Sequence, residues 1–197
     1  MLSSYAEGVY FENVVFDATD PQTTGRAWEA ELGTETLTDE EAGFETSLSV
    51  PDGPELDLCF QRVPDEPTER PRLHLDVRAG ELTALRLESA DPARDLAFWQ
   101  YLTGWEPVAG SEVRGLQHPS GRGPVLALVP EEEPKPEAKN RTHLDLRLES
   151  GDDADVVAAG IADRGGRELH FGWGDLPWRH FADPSGNEFC VLAARNG

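Results

Sequence analysis

The sequence predicts an α+β fold built from repeated βαβββ modules. Three observations point there: strand and helix signals that recur along the chain, helix start and stop residues at matching spacings, and period-two strands between them. The segment Asn13-Val14-Val15-Phe16-Asp17-Ala18-Thr19-Asp20-Pro21 is echoed by Ala84-Leu85-Arg86-Leu87-Glu88-Ser89-Ala90-Asp91-Pro92. Both are apolar strands running into Asp-Pro. The Asp carboxylate caps a helix by accepting an orphan backbone N–H, and Pro suits the first helical position because no donor is needed there.

The first expected helix carries Trp28 and Leu32 and stops at Gly33, while the second carries Phe98, Trp99 and Leu102 and stops at Gly104. Gly just past a helix supplies the left-handed cap. Strand-like runs and turns follow each helix: Phe44 to Val50 with Pro51-Asp52-Gly53, and Val113 to Gln117 with His118-Pro119-Ser120-Gly121. Apolar strands at Glu55 to Gln61 and at Pro124 to Val129 close the two copies.

A second echo joins Arg72-Leu73-His74-Leu75-Asp76-Val77-Arg78 to Arg141-Thr142-His143-Leu144-Asp145-Leu146-Arg147-Leu148. Period-two alternation puts the aliphatic residues on one face of each strand and His, Asp and Arg on the other. The later copy continues into an expected helix from Asp153 to Arg164, stopped by Gly165-Gly166. Strands are expected at Glu168 to Trp173, Trp178 to Ala182 and Glu188 to Ala193, the last two joined by Asp183-Pro184-Ser185-Gly186-Asn187.

These signals define complete units at 9–63, 82–130 and 141–194, with the strand at 71–79 as the start of a unit that lacks its helix and remaining strands. The Pro- and Glu-rich stretches 64–67 and 130–136 read as linkers. The expected organisation is an incomplete half at 1–80 and a complete two-module domain at 81–197.

Composition narrows the classes. No apolar run reaches membrane-spanning length, and a net charge of -21 repels phosphate backbones and anionic lipids, so neither nucleic acid nor membrane is an expected partner. The start Met1-Leu2-Ser3-Ser4 lacks the basic and apolar regions of a secretory signal, which points to the cytoplasm. Cys59 and Cys190 do not make a disulfide framework, and two free thiols are expected.

The stretches Arg141-Thr142-His143-Leu144-Asp145-Leu146 and Trp178 to Leu192, with the turn Asp183-Pro184-Ser185-Gly186-Asn187, resemble glyoxalase-like, bleomycin-resistance-like domains of the vicinal oxygen chelate class. The resemblance covers most of 82–194 and, more loosely, 9–79. It implies paired βαβββ modules forming a cupped mixed sheet, with helices outside and a small organic ligand inside. The class holds metal-dependent lyases, epimerases and dioxygenases and also metal-free proteins that sequester a drug, so the site has to choose among them.

Metal enzymes of the class place donors at the start of each module's first strand and within its last strand. In the pair 82–130 and 141–194 those positions are Leu82, Ala127, His143 and Cys190, and Leu and Ala offer no donor. The expectation is no cofactor, with a divalent metal ion as the alternative. The incomplete half offers Phe11, Gln61 and His74, of which Gln61 and His74 are weak candidate ligands.

His143, Asp145 and Arg147 share the strand face that the resemblance turns toward the cup, either as a polar pocket wall or as an internal ion network. Cys190 alternates with Phe189 and Val191, which turns it into the cup, as a nucleophile with His143 or His180 as base or as a small buried hydrophobe. Trp173 and Trp178 flank a loop at the expected mouth and suit a flat ligand. The ligand-binding candidates are therefore His143, Asp145, Arg147, Trp173, Trp178, His180 and Cys190, and the catalytic candidates His143, Cys190 and His180. Two functions compete: a metal-free drug-sequestering or ligand-carrying protein, and a lyase, isomerase or dioxygenase of the same class. The unpaired strand at 71–79 could be completed by a second copy in a homodimer.

Overall fold

A computed structural model describes residues 9–66, 68–108, 114–172 and 176–195. The first unit comprises β1 (Val9–Ala18), α1 (Pro21–Leu32), β2 (Glu35–Glu40), β3 (Gly43–Ser49) and β4 (Glu55–Arg62). A lone strand β5 (Leu73–Arg78) precedes the second unit: β6 (Glu81–Ser89), α2 (Pro92–Thr103), β7 (Glu106–Pro107), β8 (Gly115–Gln117) and β9 (Val125–Pro130). The third is β10 (Thr142–Leu148), α3 (Ala154–Asp163), β11 (Arg167–Leu169), β12 (Trp178–Ala182) and β13 (Glu188–Leu192). None of the described helices is long and apolar enough to cross a membrane. Val113 and Trp173, read as strand residues, lie outside the described residues.

The helix ends follow the sequence chemistry. Asp20 accepts from the Thr23 N–H at 3.2 Å, Asp91 from the Ala93 and Arg94 N–H groups at 3.1 Å, and Asp153 from the Asp155 N–H at 2.8 Å. Gly33 and Gly104 adopt left-handed φ values of 66° and 67° and end α1 and α2.

The strands form two sheets. One has eight strands in the order β11-β12-β13-β10-β1-β4-β3-β2, the other five in the order β5-β6-β9-β8-β7. The expected pairing of the second unit with the third, leaving 1–80 apart, is corrected here. β1 of the first unit runs antiparallel to β10 of the third, with Val15 opposite His143 and Asn13 opposite Asp145.

The cause lies in one tight turn. β5 pairs antiparallel with β6 from Leu73↔Leu87 to Arg78↔Glu81, through Ala79 and Gly80 at φ 52° and 80°. Two successive positive φ values give the mirror-image turn whose twist matches a hairpin. β5 thereby takes the edge of β6 that another unit's first strand would need, and β10 pairs with β1.

α2 packs on β6, β8 and β9 of its own sheet and also on β1, which places it between the sheets. Trp99 of α2 tilts against Phe189 at 5.2 Å and stacks on Phe11 at 6.0 Å between ring centroids. One hydrophobic cluster runs from Val9 through Leu85 and Trp99 to Val191. The Asp183 to Asn187 turn joins the sheets through polar groups. Asn187 donates from Nδ2 to the Glu88 carbonyl at 2.8 Å and accepts from Arg72 Nε at 2.9 Å, while Trp99 Nε1 donates to Asp183 Oδ2 at 3.3 Å.

Candidate functional site in the cup

The central strands of the eight-stranded sheet divide their side chains by period two. Leu56, Leu58 and Phe60 of β4 and Leu144, Leu146 and Leu148 of β10 are buried on the helix side. Asp57, Cys59 and Gln61, and His143, Asp145 and Arg147, alternate with them on the opposite face. In β1 a bulge between Phe11 and Asn13 breaks the alternation. Phe11 packs edge-on against Trp105 at 4.8 Å in the core, and Glu12 is left to pair with Arg147 and Arg195.

A cavity of about 440 Å³ opens on this polar face, walled by β1, β4, β10, β12 and β13. His143, Asp145, Cys190, His180 and Trp178 all line it, together with Asn13, Gln61 and Cys59. Five of the seven ligand-binding candidates thus converge on one space, with the weak metal candidate Gln61 beside them. Arg147 is not among the lining residues; its guanidinium binds Glu12, with Nη2 to Oε1 at 2.6 Å, and donates from Nη1 to the Ala193 carbonyl at 2.6 Å. Trp173 lies outside the described residues.

At the floor, His143 Nε2 stands 3.3 Å from Asp145 Oδ1, a close but misaligned approach that leaves this oxygen without a hydrogen-bond partner. His143 Nδ1 and Asn13 Oδ1 are likewise buried and unpaired. Asp145 is also the register partner of Cys190. Burial first, and the Asp145 charge second, push the Cys190 thiol far above its ordinary range. Burial likewise holds Cys59 up at about 12. Neither side chain is in a disulfide.

Polar groups border the floor. Asp17 accepts two bonds from Lys139 Nζ, at 3.0 and 2.9 Å, and one from Gln61 Nε2. Glu188 accepts from Lys135 Nζ at 3.1 Å and from the Asn140 N–H at 3.1 Å. At the mouth, Trp178 Nε1 donates to His180 Nε2 at 3.2 Å, and Phe171 meets the His180 ring edge-on at 5.2 Å. Phe171 and Trp178 are 38% and 36% exposed, large apolar surfaces held at the rim. Burial lowers the His180 pKa, so its ring is mainly neutral near pH 7.

The weak metal candidates are not brought together. Gln61 is in the cavity but engaged with Asp17, whereas His74 sits on β5 of the other sheet, 3.5 Å from Glu88 Oε1. Leu82 and Ala127 belong to that other sheet as well, so their lack of donors has no bearing on the cup. Sequence reasoning missed Asn13, Asp17 and Lys139. The signal for the first two was available, because Asn13, Val15 and Asp17 repeat with period two on β1 exactly as His143 and Asp145 do on β10.

The family model described as a glyoxalase-like domain matches residues 13–88 and 84–192. No curated protein matches the chain. Among solved structures, a glyoxalase I variant from Zea mays is 16% identical, with 96% of this chain and 70% of that one covered and a TM-score of 0.43. A glyoxalase/bleomycin resistance protein/dioxygenase family enzyme from Burkholderia phytofirmans is 14% identical over 58% of this chain and 99% of that one, with a TM-score of 0.47. A glyoxalase/bleomycin resistance protein from Albidiferax ferrireducens is 18% identical over 56% and 95%, with a TM-score of 0.42.

Proposed function

The chain belongs to the glyoxalase-like domain family, and from that premise we propose that it binds a small organic molecule in the cup between its first and third units. His143, Asp145 and Asn13 supply the polar contacts, and Trp178 and Phe171 the aromatic rim. The observation that carries this reading is the set of three buried, unpaired polar atoms on side chains lining one cavity. Each such atom costs about 1–3 kcal/mol while it lacks a partner, and a ligand bearing N–H or O–H groups would repay that cost. The 440 Å³ cavity matches a compact organic molecule.

The role we read for it is sequestration or carriage of the ligand; burial raises both thiols lining the cavity and makes them poor nucleophiles, which argues against a covalent step on Cys59 or Cys190. The reading also takes the protein to be cytosolic and to dimerise through the free edge of β5; a monomeric mass in solution would remove the dimer. Calorimetric titration with flat organic molecules carrying N–H donors tests the binding itself. Saturable binding, weakened at least tenfold by His143→Ala and by Trp178→Ala with folding intact, is the expected result. A bound ligand indifferent to both substitutions would sit elsewhere, and the reading would fall.

One feature favours an enzyme instead. His143 lines the cavity with a buried, unpaired Nδ1 that could take a proton from a bound substrate. In that case a lyase or isomerase substrate would be turned over by the wild type, and His143→Ala would abolish turnover without altering the circular dichroism spectrum.

A further inference from the structure

We propose that the cup selects an organic cation, seating an ammonium or amidinium group between Asp145 and Asn13 with the scaffold that carries it against the aromatic rim. The inference rests on the proposed binding role of the cup and names the chemical class of its ligand.

The acceptors come first. Asn13 and His143 are each 7% exposed, and Asn13 Oδ1, His143 Nδ1 and Asp145 Oδ1 are buried without a hydrogen-bond partner. All three atoms belong to side chains lining one cavity. A carboxylate oxygen and an amide oxygen only accept, and a neutral His143 with its proton on Nε2 presents Nδ1 as an acceptor too. An anion brought here would meet lone pairs and a like charge, whereas a cation with several N–H groups meets a partner for each of them. Hydrogen bonds between an ionised donor and a carboxylate are also roughly twice as strong as neutral ones.

The charges on the wall select in the same direction. Lys139 lines the cavity, but Asp17 holds its ammonium at 2.9 and 3.0 Å, and Lys135 is bound to Glu188 at 3.1 Å. Neither lysine is free to receive a carboxylate or phosphate ligand. Asp145 differs from Asp17 and Glu188 in having no Lys or Arg partner among the described residues; its close basic neighbour is His143 Nε2 at 3.3 Å, without a hydrogen bond to Oδ1. The carboxylates on the wall thus come with lysines, and the one at the floor does not. A buried carboxylate left in that state is costly, and a cation from outside relieves it.

Strand register spaces the acceptors. Asn13 of β1 stands opposite Asp145 of β10 on one side and beside Asp57 of β4 on the other. Opposed residues in an antiparallel pair hold their Cβ atoms about 4.5–5.5 Å apart, a span that two N–H donors of one planar amidinium bridge. Asp57 carries the row into a second cavity on the same face, where Arg195 is engaged by Glu12. Burial raises the Asp57 carboxyl, and a cation nearby would favour its charged form. At the rim, Trp178 and Phe171 offer the faces and edges that suit a flat ring bearing such a group.

The test uses three flat probes of one shape: benzamidine, its neutral isostere benzamide, and the anion benzoate. Each is titrated calorimetrically into the full chain with a chelator present, at about 0.15 M salt, where attraction to the exposed acidic surface is screened beyond about 8 Å. The expected result is saturable binding of benzamidine at one site per chain, at least about tenfold tighter than benzamide, and no binding of benzoate. In Asp145→Asn, an isosteric change, the preference for benzamidine over benzamide should disappear. It should persist in Glu132→Gln, which removes an exposed charge outside the cavity. Equal binding of benzamidine and benzamide by the wild type overturns the cation inference and leaves the cup as a binding site. A preference that survives Asp145→Asn also overturns it, because the cation would then be held elsewhere on the acidic surface, and so does absence of benzamidine binding. Titrations of His143→Ala and Trp178→Ala with neutral flat molecules decide separately whether the cup binds at all.

Discussion

Asn13 of β1 and Asp145 of β10 lie directly opposite each other across the antiparallel pair that joins the first and third units, and each carries a buried side-chain oxygen with no hydrogen-bond partner. Two acceptors facing each other in this way cannot satisfy one another. The arrangement is unfavourable for folding alone, and a bound hydrogen-bond donor would relieve it.

Replacing Asn13 by Val should therefore stabilise the empty protein by about 1–2 kcal/mol, because the orphan oxygen is removed and an apolar side chain of similar size takes its place. Thermal or urea unfolding gives the sign. A lower midpoint in the variant would show that the Asn13 amide is paired in solution and would weaken the functional reading of the cup.

The hairpin that holds β5 against β6 places a non-glycine residue, Ala79, at φ 52°. An Ala in the left-handed region pays about 1 kcal/mol for its Cβ, whereas Asn tolerates that region and Asn-Gly is a preferred pair for this turn. Ala79→Asn is expected to stabilise the protein by about 0.5–1 kcal/mol. Denaturant unfolding at constant m-value would reveal it, and destabilisation would mean that the turn is of another type.

Burial raises Asp183 from 3.8 to about 6, reinforced by the nearby charge of Asp95 and opposed by hydrogen bonds from Asn187 and Trp99. The folded state thus prefers the protonated acid more strongly than the unfolded chain does. The resulting stabilisation is fully present below about pH 4 and is lost as the pH rises to about 6, a change of about 3 kcal/mol for a shift of about 2 units. Asp183→Asn removes this titration. The stability of the wild type minus that of the variant should fall across that window and be level above it; a flat difference from pH 4 to 7 would show that Asp183 ionises normally.

Both cup thiols should resist modification. With burial holding Cys59 at about 12 and Cys190 higher still, the thiolate fraction at pH 8 is negligible. The native protein should react with a disulfide reagent far more slowly than the denatured chain, which should release two equivalents at once. A fast equivalent in the native state, lost in Cys190→Ser, would revive Cys190 as a nucleophile.

Much of this site was legible before the fold was known. Period two on β10 put His143 and Asp145 on one face, and the alternation of Cys190 with Phe189 and Val191 put its thiol on the same side of the sheet. The Asp183 to Asn187 turn was readable as a closing turn, though its work in tying the sheets together was not. β2, with the sequence Glu-Thr-Leu-Thr-Asp-Glu, went unread because a mostly exposed edge strand needs no apolar alternation. Phe11 was misplaced because a one-residue bulge reverses the side-chain faces on one side of it, and nothing in the local composition marks where a bulge falls.

The sequence by itself determined the elements. Asp caps, Gly stops and period-two strands are local signals, and three units and a lone strand follow from them. Which units share a sheet was decided only in three dimensions, because strand pairing depends on which edge is free when the chain closes. A short linker of Ala79 and Gly80 commits β5 to β6, the second unit loses its open edge, and the third unit is left to β1. That choice brings Asn13, Asp17 and Gln61 to the same cavity as His143, Asp145 and Cys190, and it leaves Leu82 and Ala127 outside.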